Sequence, residues 1–165
     1  MKQLVLTIIG KDKAGLVKQL AKVINEHNGN WMASNLSHLA GYFAGIVQIE
    51  VAEPDLGNLT AALQQLTDLE IKVQLGEQSE LDKSQQLRFV ITGNDRPGIV
   101  RELSTVLSHK GANIISFESH KQSAPNWGVP LFHADATVQL PAGLNRDDVT
   151  QALEAIATDI VVDLE

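Results

Sequence analysis

The 165-residue chain contains no cysteine, which removes disulfides, thiolate nucleophiles, Cys-ligated zinc and iron–sulfur clusters together. Proline is scarce at 5 residues and glycine stands at 12, so the composition is that of neither a disordered nor a fibrous chain. Basic charge is also short. With 13 Lys and Arg against 20 Asp and Glu the net charge is −7, and both halves share the deficit, residues 1–83 holding 7 basic and 10 acidic side chains and residues 84–165 holding 6 and 10. Such a surface repels a phosphate backbone, and direct DNA binding is not expected. No stretch approaches the ~20 apolar residues of a membrane helix, and a cytoplasmic location is the default expectation. What the chain does have is 44% hydrophobic residues against 20% charged, the balance of a globular protein.

The hydrophobic residues are arranged twice. Leu6 to Val17 aligns with Phe89 to Val100 at an offset of 83, matching Gly10 with Gly93, Asp12 with Asp95, Gly15 with Gly98 and Val17 with Val100. One deletion takes the offset to 82, pairing His27 with His109, Gly29 with Gly111, Ser34 with Ser116, Ser37 with Ser119 and His38 with His120. Seven inserted residues then bring it to 89, pairing Phe43 with Phe132. The chain is therefore two copies of one unit, residues 1–76 and 86–165, joined by a polar linker at 77–85.

Within each copy the period changes in the same order. Leu4, Leu6 and Ile8, like Leu87, Phe89 and Ile91, alternate as one face of a strand. Leu16, Val17, Leu20, Val23 and Ile24, matched by Ile99, Val100, Leu103, Val106 and Leu107, recur at helical spacing. Second strands follow at Trp31–His38 and Asn113–His120, third strands near Phe43–Val51 and Phe132–Leu140. Leu59, Leu63 and Leu66, with Val149, Leu153 and Ile156, mark second helices, before closing strands through Ile71, Val73 and Leu75 and through Ile160, Val162 and Leu164. The fold class is α+β: two ferredoxin-like βαββαβ modules in tandem, each a four-stranded antiparallel sheet with two helices on one face. Val5, Ile9, Met32 and Val90 point to the other face or a rim. Uncovered sheets and edges of this kind lead us to expect a homodimer, unless the two copies satisfy each other within one chain.

The segment Asn94-Asp95-Arg96-Pro97-Gly98-Ile99 runs from a strand straight into a helix. Pro97 suits a first helical turn, Gly98 allows close backbone approach, and the helix N-terminus favours a carboxylate. Asp95 either caps the helix or receives an ammonium group. Asn113, at the start of the next strand, adds an amide.

These residues resemble the ACT domain, a small regulatory module that binds amino acids, through Asp95-Arg96-Pro97-Gly98-Ile99-Val100, Leu103, Leu107 and Gly111-Ala112-Asn113-Ile114. The first copy is similar but degraded, with Lys13-Ala14-Gly15 in place of Arg-Pro-Gly and Trp31 where the amide would sit. The tandem arrangement, with the stretch Glu118–Phe132, is similar to the glycine cleavage system transcriptional repressor group. The resemblance implies a ligand at the loop, contacted by Asn94, Asp95, Arg96, Pro97, Gly98, Ile99 and Asn113, and a degenerate second site at Asp12, Lys13, Ala14, Gly15 and Asn30. It also implies a small amino acid, glycine or similar, as ligand, no cofactor, and repression through contact with a transcriptional activator protein rather than with DNA.

Other chemistry finds little support. The pairs His27–His38 and His109–His120 lack zinc-site spacing, no Gly-x-Ser-x-Gly turn or Ser/His/Asp set is present, and the Gly10–Gly15 span is followed by Leu16-Val17 where a phosphate loop needs Lys-Ser/Thr. Neither a metal nor an enzyme activity is expected. His27 and His109 fall in last helical turns, where an imidazolium suits the helix dipole. Trp127, between Pro125 and Pro130 in the long connection 121–131, either anchors a protein partner or lids the loop, or else folds back over the sheet edge.

Overall fold

The computed structural model describes residues 1–77, 81–123 and 128–165, so Trp127 lies outside the described residues. The chain divides into two units, Met1–Ser79 and Glu80–Glu165. The first contains β1 (Lys2–Lys11), α1 (Leu16–Glu26), β2 (Asn30–Leu39), β3 (Tyr42–Val51), α2 (Leu56–Gln64) and β4 (Glu70–Leu75). The second repeats the order with β5 (Gln86–Asn94), α3 (Ile99–His109), β6 (Asn113–Gln122), β7 (Leu131–Gln139), α4 (Arg146–Glu154) and β8 (Val161–Leu164). Each unit has one four-stranded antiparallel sheet, ordered β2-β3-β1-β4 and β6-β7-β5-β8. Both are the ferredoxin-like plan expected from the period changes. Of the residues in the linker expected at 77–85, Asp82 and Gln85 bond to the second unit: the Leu140 N–H donates to the Gln85 carbonyl, and Gln139 Nε2 to that of Asp82.

Each core lies between the sheet and its two helices. Leu4, Leu6 and Ile8 of β1 and Val47, Ile49 and Val51 of β3 meet Leu16, Leu20 and Ile24 of α1 and Leu59 and Leu63 of α2. In the second unit Phe89, Ile91, Ala134, Ala136 and Val138 meet Ile99, Leu103, Leu107, Val149 and Leu153. Each large buried side chain contributes ~1.5–3 kcal/mol, enough in number to hold a domain of this size. The helical stripes are narrower than their periodicity suggests. Val17 and Val100 remain 44% and 45% exposed, because full burial is confined to the i, i+4, i+8 positions, with Val23 and Val106 partly buried beside them. The second helices end at Gln64 and Glu154, and Leu66 and Ile156 reach the cores from the turns that follow. Among the described residues no helix is long and apolar enough to cross a membrane.

The geometry also corrects the alignment of the two copies. The helices, the left-handed residues after them (Asn28, φ 59°, and Gly111, φ 73°) and the sheet bulges at Trp31/Ala33 and Ile114/Ser116 all stand 83 residues apart. No residue is deleted. The offset of 83 persists to the ends of β2 and β6, and six extra residues then lie between β6 and β7, where β2 and β3 are joined by Ala40 and Gly41 alone. The shifted alignment arose from matching Gly29 with Gly111. The left-handed place of Gly111 is filled in the first copy by Asn28, since asparagine tolerates that conformation. Asn30 thus stands where Asn113 does, Trp31 corresponds to Ile114, and His38 corresponds to Lys121.

Candidate functional site

The strand-to-helix loop has the same backbone in both units. In the second, the Ile99 N–H donates to the Arg96 carbonyl at 3.3 Å across Pro97 and Gly98, and Gly98 has φ 88° and ψ −3°. That is a type II turn, with proline second and a left-handed glycine third. Gly98 is the helix N-cap and Pro97 precedes it, so Pro97 rigidifies the turn rather than the first helical turn. A Cβ on Gly98 or on its counterpart Gly15 (φ 93°) would touch nothing within 4 Å. Both glycines are needed for their backbone angle, not for close approach.

Neither α1 nor α3 has a side-chain cap. Asp95 is therefore not the helix cap. Its N–H donates to the Pro130 carbonyl at 2.7 Å, and its Oδ2 lies 3.0 Å from Lys121 Nζ at the end of β6. In the first unit the Asp12 N–H donates to the Gly41 carbonyl at 3.0 Å, and its Oδ2 lies 3.7 Å from His38 Nε2. Each loop thus carries one carboxylate tethered toward the second strand of its own sheet. The neighbouring cations are already engaged: Lys13 Nζ sits 2.6 Å from Asp68 Oδ2, and Arg96 pairs with Glu102 along α3. Lys13, and then Gln19, by hydrogen bonding hold the Asp68 carboxyl below its ordinary range. Asn94 is fixed by its N–H donating to Asp159 Oδ2 at 2.7 Å.

A cavity of about 140 Å³ adjoins the first loop, lined by Asp12, Lys13, Gly15, Leu16, Val17, Lys18 and Phe43, and Ala14 lies in the turn between. Beside the second loop an open groove of about 650 Å³ runs along α3 past Arg96, Gly98, Arg101 and Glu102.

Asn113 is not brought to this loop. It pairs with Gln139, which also faces Gln86, whereas Asp95 bonds to Pro130 at the other end of β7. Nine residues of strand separate the two ends, about 30 Å. The cause is topological: α3 carries the chain back before β6 starts parallel to β5. Asn113 lines a groove of about 340 Å³ with Ser104, Ser108 and Gly111 instead, and Asn30 in the equivalent place donates from Nδ2 to Glu50 Oε1 at 3.1 Å.

Sequence spacing missed the cross-strand partners. Lys121 and His38 meet the loop carboxylates because the hairpins fold back, a relation visible only once strand register is known. His120 and His133 face each other across β6 and β7 with ring centroids 4.8 Å apart. No group of three metal-ligating side chains occurs among the described residues.

Residues 2–76 match the family model of the ACT domain, which spans the first unit. The first unit is similar to an ACT domain. The match falls on the copy whose loop reads as degraded in sequence, and with Asn30 in the place of Asn113 the supposed loss of the amide disappears. The second unit repeats the ACT-like fold element for element. Over the whole chain, a crystal structure of an unknown protein from Galdieria sulphuraria is 27% identical, with 99% of this chain and 97% of that one covered at a TM-score of 0.86. A candidate glycine cleavage system transcriptional repressor is 16% identical, with 99% and 96% covered at a TM-score of 0.71, a likeness of fold. No curated protein sequence matches the chain.

Proposed function

We propose that this tandem ACT-like protein is an amino-acid-responsive regulator without enzymatic activity, which binds a small amino acid at its strand-to-helix loops and acts through contact with another protein. The observation that carries this reading is the loop built twice, a carboxylate beside an uncapped helix N-terminus. A zwitterion matches that pair: its ammonium meets Asp12 or Asp95, and its carboxylate meets the free N–H groups of the first helical turn. The contacts proposed are Asp12, Lys13, Ala14 and Gly15 in one loop, and Asn94, Asp95, Arg96, Pro97, Gly98 and Ile99 in the other. Asn113 and Asn30 lie outside the loop of their own unit.

Glycine is the proposed ligand, supported by the glycine cleavage system repressor whose fold this chain shares, and a transcriptional activator is the proposed partner, as the family resemblance implies. The charge of −7 supports a protein target over a nucleic acid. The reading places the chain in the cytoplasm as a homodimer and calls for no cofactor. A thermal-shift screen of the twenty amino acids tests it. Glycine at ~100 times its dissociation constant raises stability by ~2.7 kcal/mol, and the variant lacking both Asp12 and Asp95 shows no shift.

A second reading has its own support, since Asp95 already holds the Lys121 ammonium and Asp12 already faces the His38 imidazole. In that case the protein is a constitutive interaction module. Partner capture that no amino acid alters would favour it, and dose-dependent release by glycine would exclude it.

A further inference from the structure

Resting on the amino-acid-binding reading above, we propose that the two loops differ in access: the first receives the ligand's ammonium at Asp12, the second is held shut by Lys121 on Asp95, and His38 makes the first loop pH-dependent.

The two carboxylates are equivalent in backbone and different in counter-ion. Lys121 Nζ lies 3.0 Å from Asp95, within hydrogen-bonding distance, and the Asp95 side chain is 25% exposed. His38 Nε2 lies 3.7 Å from Asp12, beyond a hydrogen bond, and the Asp12 side chain is 45% exposed. An ammonium approaching Asp95 must displace another ammonium already at hydrogen-bonding distance. An ammonium approaching Asp12 competes only with an imidazolium, and histidine is the side chain whose charge changes between pH 5 and 8. The cavity beside Asp12 is of small-ligand size and is lined by Asp12 itself, whereas the groove next to the second loop runs past Arg96 and Glu102 and does not include Asp95.

The charged and titratable groups at this end of the first sheet are few. Asp12 faces His38 directly. Lys11 and Tyr42 are paired across β1 and β3, and Lys13 is neutralised by Asp68. Deprotonation of His38 leaves Asp12 without a partner and open to the ligand. Exposed pairs of this kind shift a competing equilibrium by about two- to fivefold, so the loops differ in affinity rather than absolutely.

The test is isothermal titration of the full chain with each of the twenty amino acids at pH 6 and pH 8, carrying the tightest binder into four variants. Binding by the wild type should tighten about two- to fivefold from pH 6 to pH 8. His38→Gln should bind at pH 6 as the wild type does at pH 8, and Asp12→Asn should lose the tighter site. Lys121→Met should add or strengthen a second binding event, and Asp95→Asn should lose the weaker event. Loss of binding in Asp95→Asn with retention in Asp12→Asn would overturn the assignment while leaving amino-acid sensing intact, as would affinity that ignores both pH and His38. Absence of binding in the wild type, His38→Gln and Lys121→Met at pH 8 would overturn the sensing function and this proposal together.

Discussion

Asp12 and Asp95 acquire their roles from residues distant in sequence, His38 and Lys121, each 26 positions away. The same holds for Asp135 on the open sheet face, whose Oδ2 accepts from Arg88 Nη2 at 2.7 Å across β5 and β7, while Arg88 also reaches Glu165 at 3.0 Å. The Arg88 hydrogen bond holds the Asp135 carboxyl below its ordinary range, and the same bond raises the Arg88 guanidinium above its own. A carboxylate with a lowered folded-state pKa stabilises the fold above its unfolded value and loses that contribution as pH falls through the folded one. Asp135→Asn should therefore melt below the wild type at pH 7, and the two melting curves should converge as pH drops below about 4. Circular-dichroism melts across that range check it, and parallel curves would show that the pair contributes nothing. The candidate carboxylates were legible in the sequence because Asp-x-x-Gly recurs before two helices. Their partners were not, because a cross-strand contact depends on hairpin length and bulges that periodicity does not encode.

At the scale of elements, both helices and strands were legible wherever one face is apolar, as in Leu16, Leu20 and Ile24 or in Phe132, Ala134, Ala136 and Val138. Helix ends were less so, since Leu66 and Ile156 continue the apolar spacing after the helical hydrogen bonds stop. The β2–β3 hairpin turns on Ala40 (φ 50°) and Gly41 (φ 83°), both left-handed, as a two-residue type I′ connection requires. Alanine is strained there by roughly 1 kcal/mol, whereas asparagine accepts the conformation through local hydrogen bonding. Ala40→Asn should raise the melting temperature by a few degrees without altering β-sheet content, as read by circular dichroism. A lowered melting temperature would mean the turn is not strained at Ala40. The left-handed residue after the first helix is Asn28 rather than a glycine, and pairing Gly29 with Gly111 in its stead is what displaced the sequence alignment of the second strands by one residue.

At the scale of the molecule, two units of one plan share a chain that is acidic in both halves. The duplication and fold class were readable from the sequence because the hydrophobic period switches twice in the same order. The location of Asn113 was not, because only the crossover of α3 puts it at the far end of the sheet from Asp95. What makes the protein a sensor in this view is ligand at the loop turns, and the glycines of those turns supply well-placed reporters. Titration of the ¹⁵N-labelled chain with glycine should move the amide resonances of Gly15 and Leu16 first and those of Gly98 and Ile99 at higher concentration, while core amides such as Leu6 and Phe89 stay in place. If the loop amides remain fixed at saturating glycine and at saturation with every other amino acid, the loops are not ligand sites and the protein is not an amino-acid sensor.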